Sequence, residues 1–392
     1  MRPISRVLLS AACAAALAMT LPVAASATGR YQVRNLDSLG GTASAGAGIN
    51  NFGLVTGSSN LPGDQSTHAT AWLFGSTFDL GTLGGANSAV VFPVKNNYGL
   101  IAGVAETAQL DPNGESWSCS AFFPNATYHT CLGVVWEWGH KRALPTLGGN
   151  NGFAAGINDR AQVVGWAETA VHDPSCDPAS GQVLQFLPVV WGPGKDQLRA
   201  LPLLAGDSSG AAVAINNRGQ MVGISGACDQ AVGRFTARHA VLWDGNQTIA
   251  LGDLGGTAWN TPVAINQHGD VVGFANVPGG ATPGSFHEHA FLWTRSGGMR
   301  DLGTLPGDTR SQALGINDRG QVVGLSHGGT AGYRAFLWDN GVMTDLNTLL
   351  APGYADHLLL ANDIDDAGRI TGQALNADGS VSSAFEAVPA GW

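Results

Sequence analysis

The sequence predicts an all-β chain folded as a seven-bladed β-propeller of four-stranded blades, and three observations carry that prediction. A short motif recurs seven times at a spacing of 46 to 62 residues, and self-similarity at such a period marks solenoids, propellers or arrays. Each period holds four short β-type runs separated by turn residues, which is the content of one propeller blade. The composition agrees, with 56 Gly and only 12% charged residues in 392, poor in helix formers and rich in turn formers. A chain this long exceeds a single ordinary core of roughly 250 to 300 residues. Repeats relax that limit, because each packs only on its neighbours.

The motif is an apolar or long residue, then Asn or Asp, two variable residues, and usually Gly. It occurs at Ile49-Asn50, Lys95-Asn96, Ile157-Asn158, Ile215-Asn216, Ile265-Asn266, Ile316-Asn317 and Ile364-Asp365. Asn or Asp bonds its own backbone two residues on and Gly accepts positive φ, so each motif is a turn joining two strands. The strand before it is built of small residues, as in Ala45-Gly46-Ala47-Gly48 and Ala154-Ala155-Gly156, suited to the crowded axis of a propeller. The strand after it is β-branched, as in Val271-Val272-Gly273. A third strand ends in Trp72, Trp136, Trp191, Trp243, Trp293 or Trp338. Such bulk belongs farther out, where blades splay apart. A turn such as Asp339-Asn340-Gly341 leads to the fourth strand. In the last repeat no fourth strand follows residues 385–388. Residues 31–36 stand where it is needed, so pairing of the N- and C-terminal strands is expected to close the ring and hide two sheet edges.

Residues 1–27 read as a cleavable export segment: Arg2 and Arg6 precede an apolar stretch over 7–21, and Ala25-Ser26-Ala27 offers a cleavage site. No later window reaches the roughly 18 consecutive apolar residues of a membrane helix. The expected product is an exported, periplasmic or extracellular propeller domain over 28–392, a monomer without membrane span. A net charge of −10 without a basic run argues against nucleic acid. Four cysteines follow the segment, an even number that suggests disulfides in an exported chain. Cys119 with Cys131 is the preferred local pair, leaving Cys176 with Cys228. No Cys-x-x-Cys occurs, and neither a metal nor a cofactor is expected.

Taken together, His289-Ala290-Phe291-Leu292-Trp293, Asp301-Leu302-Gly303-Thr304-Leu305 and Ile316-Asn317 with Gly320 to Gly324 resemble the HAF family of bacterial exported repeat proteins, named for its His-Ala-Phe. The resemblance covers nearly all of residues 31–388 and implies an exported β-repeat protein, with no catalytic residues to carry over. Repeats two, three and seven depart from it by lacking the His-Ala-Phe start.

Several chemical readings are available. The recurrent His68, His239 and His289 read as ties of a loop to its own blade. The Asp363-Ile364-Asp365-Asp366 run lacks acidic residues at the fifth and twelfth calcium-loop positions and reads as a turn. Gly-x-Ser-x-Gly around Ser208 and Ser326 is not followed by a helix. The informative departures are insertions over 105–131 and 167–188, which lengthen the loops between second and third strands on one rim. They supply Trp117, Phe122, Phe123, Tyr128 and Phe186 as aromatic surface, and Glu106, Asp111, Glu168 and Asp173 as carboxylates. The reading is a binding or scaffold module whose rim takes a glycan, peptide or protein ligand. The alternative is a hydrolase or lyase of an extracellular polymer, using those carboxylates with His129 or His172.

Overall fold

The computed structural model describes residues 30–391, apart from 116–120, 177–180, 195–196, 229–236, 257–258 and 280–286. The expected export segment, Trp117 and Cys119 therefore lie outside the described residues. Seven four-stranded antiparallel sheets form the ring of a β-propeller, six of them built from strands in sequence order. The seventh has the order Tyr31–Asn35, Ser382–Pro389, Ile370–Leu375, His357–Ile364. The chain ends thus meet as expected, in register from Tyr31 opposite Pro389 to Asn35 opposite Phe385. Arg34 adds a forked pair to Glu386 at 2.7 and 3.0 Å.

The first strands of the blades, such as Ser44–Ile49, Ser209–Ile215 and Arg310–Ile316, line the axis, and their Asn turns do more than turn. Each Asn Oδ1 accepts from the backbone N–H two and four residues on, as Asn158 does from Arg160 and Gln162 at 3.0 Å. Its Nδ2 donates to the carbonyl of the equivalent residue in the next blade. The chain of donors runs Asn50, Asn96, Asn158, Asn216, Asn266, Asn317 to the Asp365 carbonyl, at 2.8 to 3.3 Å. Asp365 has no amide to pass on. Arg369 takes over, holding Asp365 Oδ2 at 2.6 Å and donating to the Asn51 carbonyl at 2.8 Å. The following residues make a second circle, in which the N–H of Asn51, Asn97, Asp159, Asn217, Gln267, Asp318 and Asp366 each reaches the side chain of the next, at 2.6 to 3.1 Å. Each bond nets only about 0.5–1.5 kcal/mol, but together they fix every blade to its neighbour.

Lys95 breaks the circle of axial Ile residues. Its ammonium lies 2.5 Å from Asp363 Oδ1, and Asp363, fully buried, also accepts from the Ile49 N–H at 2.9 Å. A half-buried cation of the second repeat therefore faces the fully buried carboxylate of the seventh. Farther out, the six Trp residues ending the third strands are all buried. The indole N–H of Trp72, Trp191 and Trp243 donates to a connecting-loop carbonyl (Asp37, Pro145 and Pro202) at 2.7 to 2.8 Å. His68, His239 and His289 bind Asp79, Asp207 and Asp301 at 2.8 to 2.9 Å; Asp79 and Asp301 lie on the fourth strand of the same blade and Asp207 in the loop that leads into blade four.

The Leu-Gly-Gly segments between blades have a steric cause. Gly84 and Gly148 adopt φ of 111° and 108°, a region open to Gly at little cost. A Cβ on the following Gly85 or Gly149 would stand 2.5 or 2.4 Å from the Cβ of Glu106 or Glu168.

Candidate functional site

The insertion end of the axis opens into an apolar cavity of about 390 Å³. Its floor is made by the small first strands, through Ala155, Ala212, Val213 and Val263, and its walls by aromatic rings. Part of the wall comes from one structural position repeated around the axis, the fourth residue of the second strand. In blades three, four and five that residue is Trp166, Ile224 and Phe274, and all three line the cavity. Phe92, Phe153 and Trp259 complete the wall, and Phe122 reaches in from the blade-two insertion. Phe153 packs on Phe92, Phe122 and Trp166 with centroids 5.9, 5.4 and 6.2 Å apart, and Trp259 meets Phe274 edge to face at 5.0 Å. Trp259 holds this place with φ of 55°, a left-handed conformation that costs a bulky residue about 1–3 kcal/mol.

Of the residues expected on the rim, Phe122 alone lines the cavity among those described. Tyr128 is exposed on the insertion, while Phe123 and Phe186, expected at the surface, are buried in the core beneath it. The carboxylates expected to face a ligand turn inward: Glu106, Asp111, Glu168 and Asp173 are all buried. Their oxygens hold the inserted chain. Glu106 Oε2 accepts from the N–H of Ala86 and Asn87 at 3.0 Å, and Oε1 from the Thr127 hydroxyl. Glu168 Oε2 repeats this one blade on, accepting from the N–H of Asn150 and Asn151 at 3.0 and 2.8 Å. Asp111 Oδ1 accepts from the N–H of Asn113 and Glu115, and Oδ2 from Asn151 Nδ2 at 2.7 Å. Asp173 gathers the hydroxyls of Ser175, Ser208 and Ser209 at 2.7 to 3.0 Å. The positions that follow a Gly-Gly bend need acceptors for their free N–H groups, and Glu106 and Glu168 supply them, while Asp111 and Asp173 hold turns of the insertions.

The insertions are also less loop-like than expected. The second strands of blades two and three run on as Leu100–Leu110 and Val163–His172, 11 and 10 residues against six in Val55–Asn60, so part of 105–131 and 167–188 is lengthened hairpin. Glu115, which sequence reasoning did not single out, clasps the two together: its Oε1 accepts from the N–H of Val183 and Leu184 at 2.7 and 2.6 Å. Gln182 Nε2 donates to both Glu115 and Glu168, at 3.2 and 3.0 Å. Burial first, and the Glu115 charge second, push the Glu168 carboxyl up to about 7. The folded chain thus binds a proton that the unfolded chain, with an ordinary Glu near 4.5, releases. This contribution to stability is full below pH about 4.5 and lost as pH rises through 7. The expected result is a melting temperature that falls between pH 5 and 7.5. Thermal scans of Glu168→Gln should show a flatter profile over the same range, and an equally steep one would assign the dependence to another group.

Cys176 and Cys228 form a disulfide, with Cα atoms 4.6 Å apart. Cys131 is disulfide-bonded too, while its expected partner Cys119 lies outside the described residues. Asp173 sits within 4.8 Å of the two sulfurs of the first bridge, but sulfurs bonded to each other offer no thiolate to a metal. Ser208 and Ser326 are held by Asp173 and by the Arg310 carbonyl, in neither case paired with a His. Sequence reasoning missed Phe92, Phe153, Trp166, Trp259 and Phe274. A signal existed for Phe153, a large ring in a strand made, up to its closing Ile157, otherwise of Gly, Ala and Asn.

Neither a protein-family model nor a curated protein matches this chain. Among solved structures it is similar to an oligogalacturonate lyase in complex with manganese, over 93% of this chain and 95% of that one, with 11% identity and a TM-score of 0.46. It is also similar to the acylaminoacyl peptidase of Pyrococcus horikoshii, at 12% identity and a TM-score of 0.44, covering 89% of this chain but only 52% of the peptidase. A third similarity is to a gluconolactonase of Xanthomonas campestris, with 13% identity, a TM-score of 0.33 and coverage of 66% and 78%. Likeness at these scores transfers no residue role; the seven four-stranded blades are seen in this chain's own sheets.

Proposed function

We propose that this chain is an exported binding module whose insertion end takes up an apolar group of a partner, such as a hydrophobic side chain of a peptide or protein. The observation that carries this reading is the axial cavity, whose described lining is aromatic and aliphatic, with Thr261 and Asn362 as its polar members. A volume of about 390 Å³ falls in the range of sites for small ligands or anchoring side chains. A hydrolase or lyase would need an acid and a base at the reacting atoms. Among the described residues the lining has neither, and Glu106 and Glu168 are engaged with backbone N–H groups. The Cys176–Cys228 bridge supports an oxidising compartment, and among the described residues no helix is long and apolar enough to cross a membrane.

The test is a fluorescence titration of the purified chain with a panel of short peptides carrying one Phe, Leu or Trp, against a neutral oligosaccharide panel. Trp166 and Trp259, as cavity walls, should report binding. Trp166→Ala should weaken it at least tenfold, the effect of losing one well-packed aromatic anchor. Ala212→Leu, which fills the floor, should abolish it while leaving the fold intact by circular dichroism. Binding that survives Ala212→Leu, or a response to oligosaccharides alone, would sink the reading.

A further inference from the structure

The negative charge of the chain gathers at the end of the propeller where the apolar cavity opens. Loops between blades and loops between second and third strands meet there, and among the described residues they carry Asp37, Asp64, Asp253, Asp356 and Asp378 at exposed or half-buried positions. None of these five is in an ion pair among the described residues. Their oxygens accept instead from uncharged groups, as Asp64 does from Thr42 and Asn60 and Asp356 from Asn35. Beneath them Asp111, Glu115 and Asp173 are buried in the insertions, bonded to amides and hydroxyls and to no cation. Hydrogen bonds of this kind satisfy the oxygens without neutralising their charge. Two further loop acids do have partners, Asp207 in His239 at 2.9 Å and Asp308 in Arg334 at 2.7 Å. The other arginines described at this end are Arg238 and Arg310.

The opposite end, where the Asn turns lie, is close to balanced. Lys95, Arg160, Arg218, Arg295, Arg319 and Arg369 stand there against Asp159, Asp244, Asp270, Asp318, Asp339, Asp365 and Asp366. The net charge of −10 therefore weighs on the insertion end. One acid stands at the mouth of the cavity itself. Gln312 is two residues before the cavity-lining Leu314 on the strand Arg310–Ile316, so both face the axis, with Gln312 nearer the opening. Its Nε2 donates to Glu288 Oε1 at 3.1 Å, and His327 Nε2 lies 3.1 Å from the same oxygen. Glu288 is 2% exposed, and its Oε2 has no hydrogen-bond partner. A buried acceptor without a donor is costly, and a donor arriving with a ligand removes that cost.

We propose that the partner taken up at the cavity is a basic peptide segment, whose apolar anchor side chain enters the cavity while flanking Lys or Arg residues lie over the acidic loops. This rests on the reading of the cavity as the binding site and names the chemistry of its partner. Charge surrounds the opening and the apolar lining lies inside it, so a ligand that uses both carries the two features several ångströms apart. Successive residues of a peptide do so. A lone apolar molecule gains nothing from the loops, and a lone cation nothing from the lining. Charges on a rim act chiefly on encounter, raising association rates by about 10- to 1,000-fold when partner and rim are opposite in sign.

Stopped-flow fluorescence of the purified chain at pH 7.5, with three peptides that share one central Phe and differ in having Lys, Ser or Glu flanks, tests this. At low ionic strength the Lys-flanked peptide is expected to associate at least about tenfold faster than the Ser-flanked one, and the Glu-flanked one more slowly than either. The advantage should shrink below about threefold at about 1 M salt, where the screening length is about 3 Å. Asp64→Asn combined with Asp253→Asn, Asp356→Asn and Asp378→Asn should bring the Lys- and Ser-flanked rates together, since Asn keeps an acceptor oxygen and removes only the charge. If all three peptides bind at one rate and Ala212→Leu abolishes binding of each, this inference is overturned and the cavity reading stands. A Lys-flanked peptide with Ser in place of Phe that binds equally well overturns it too, by reducing the effect to bulk charge, as does a fourfold Asn variant that keeps the full preference for Lys. Failure of every peptide to bind removes both readings.

Discussion

Removal of residues 30–36 is expected to lower stability by about 5 kcal/mol and to make the protein aggregate. The strand Tyr31–Asn35 completes blade seven, and Tyr31 and Leu36 are buried at 4% and 7% exposure. Burying two such side chains is worth about 1.5–3 kcal/mol each. Loss of the strand also uncovers the edge Ser382–Pro389, strips Glu386 of Arg34 and removes the bonds from Leu36 N–H to the Ala384 carbonyl and from Ala351 N–H to the Tyr31 carbonyl. Denaturant titration should show the lower midpoint, and size-exclusion chromatography the open edge as higher-order species. A synthetic peptide of residues 30–36 added in trans should restore the midpoint by strand addition. A truncated chain as stable as the parent would mean that closure by the terminal strands contributes nothing.

Lys95→Ala is expected to cost about 3–5 kcal/mol, the penalty for leaving the buried Asp363 carboxylate without its cation. Asp363 is fully buried, and burial pushes its carboxyl above the ordinary range even with Lys95 lowering it. Without the ammonium, Asp363 must take up a proton to remain inside. The variant should therefore recover stability as pH falls, because its folded state then binds a proton that the unfolded chain holds only at lower pH. Replacing both residues, Lys95→Ile with Asp363→Ala, is expected to come close to the parent or exceed it, since Ile fills this place in the other six repeats and an apolar pair avoids the desolvation of two charges. Urea denaturation of the parent, Lys95→Ile, Asp363→Ala and the double variant gives the cycle, with Lys95→Ala measured beside them. If Lys95→Ala proves neutral, or the double variant is worse than the single, the pair does not act as a unit.

Blade number, strand order and closure were legible in the amino-acid sequence for a common physical reason. Each depends on a local requirement that a few neighbouring residues meet: an Asn that bonds its own backbone, a Gly at positive φ, small residues where strands crowd, and one strand absent at one end and present at the other. Repetition multiplies such weak local signals until they agree. The disulfide between Cys176 and Cys228 followed from pairing arithmetic.

The site obeyed no local rule. Glu106 and Glu168 look like solvent-facing acids when read along the chain, yet they lie buried because the Gly-Gly bend of Leu83-Gly84-Gly85 or Leu147-Gly148-Gly149, about 20 residues earlier in the sequence, turns N–H groups toward them that need acceptors. The motif Asn residues were read as turn formers, which they are. Only the ring shows that their second function is to donate to the neighbouring blade, since the acceptor carbonyl lies 46 to 62 residues away. The apolar cavity is the clearest case. Trp166, Ile224 and Phe274 sit at one position in three repeats, where Ser58 and Gln373 stand in the first and last, and nothing along the strand marks the difference. Their side chains become a wall because the propeller brings equivalent positions together around an axis, and that convergence belongs to the tertiary fold.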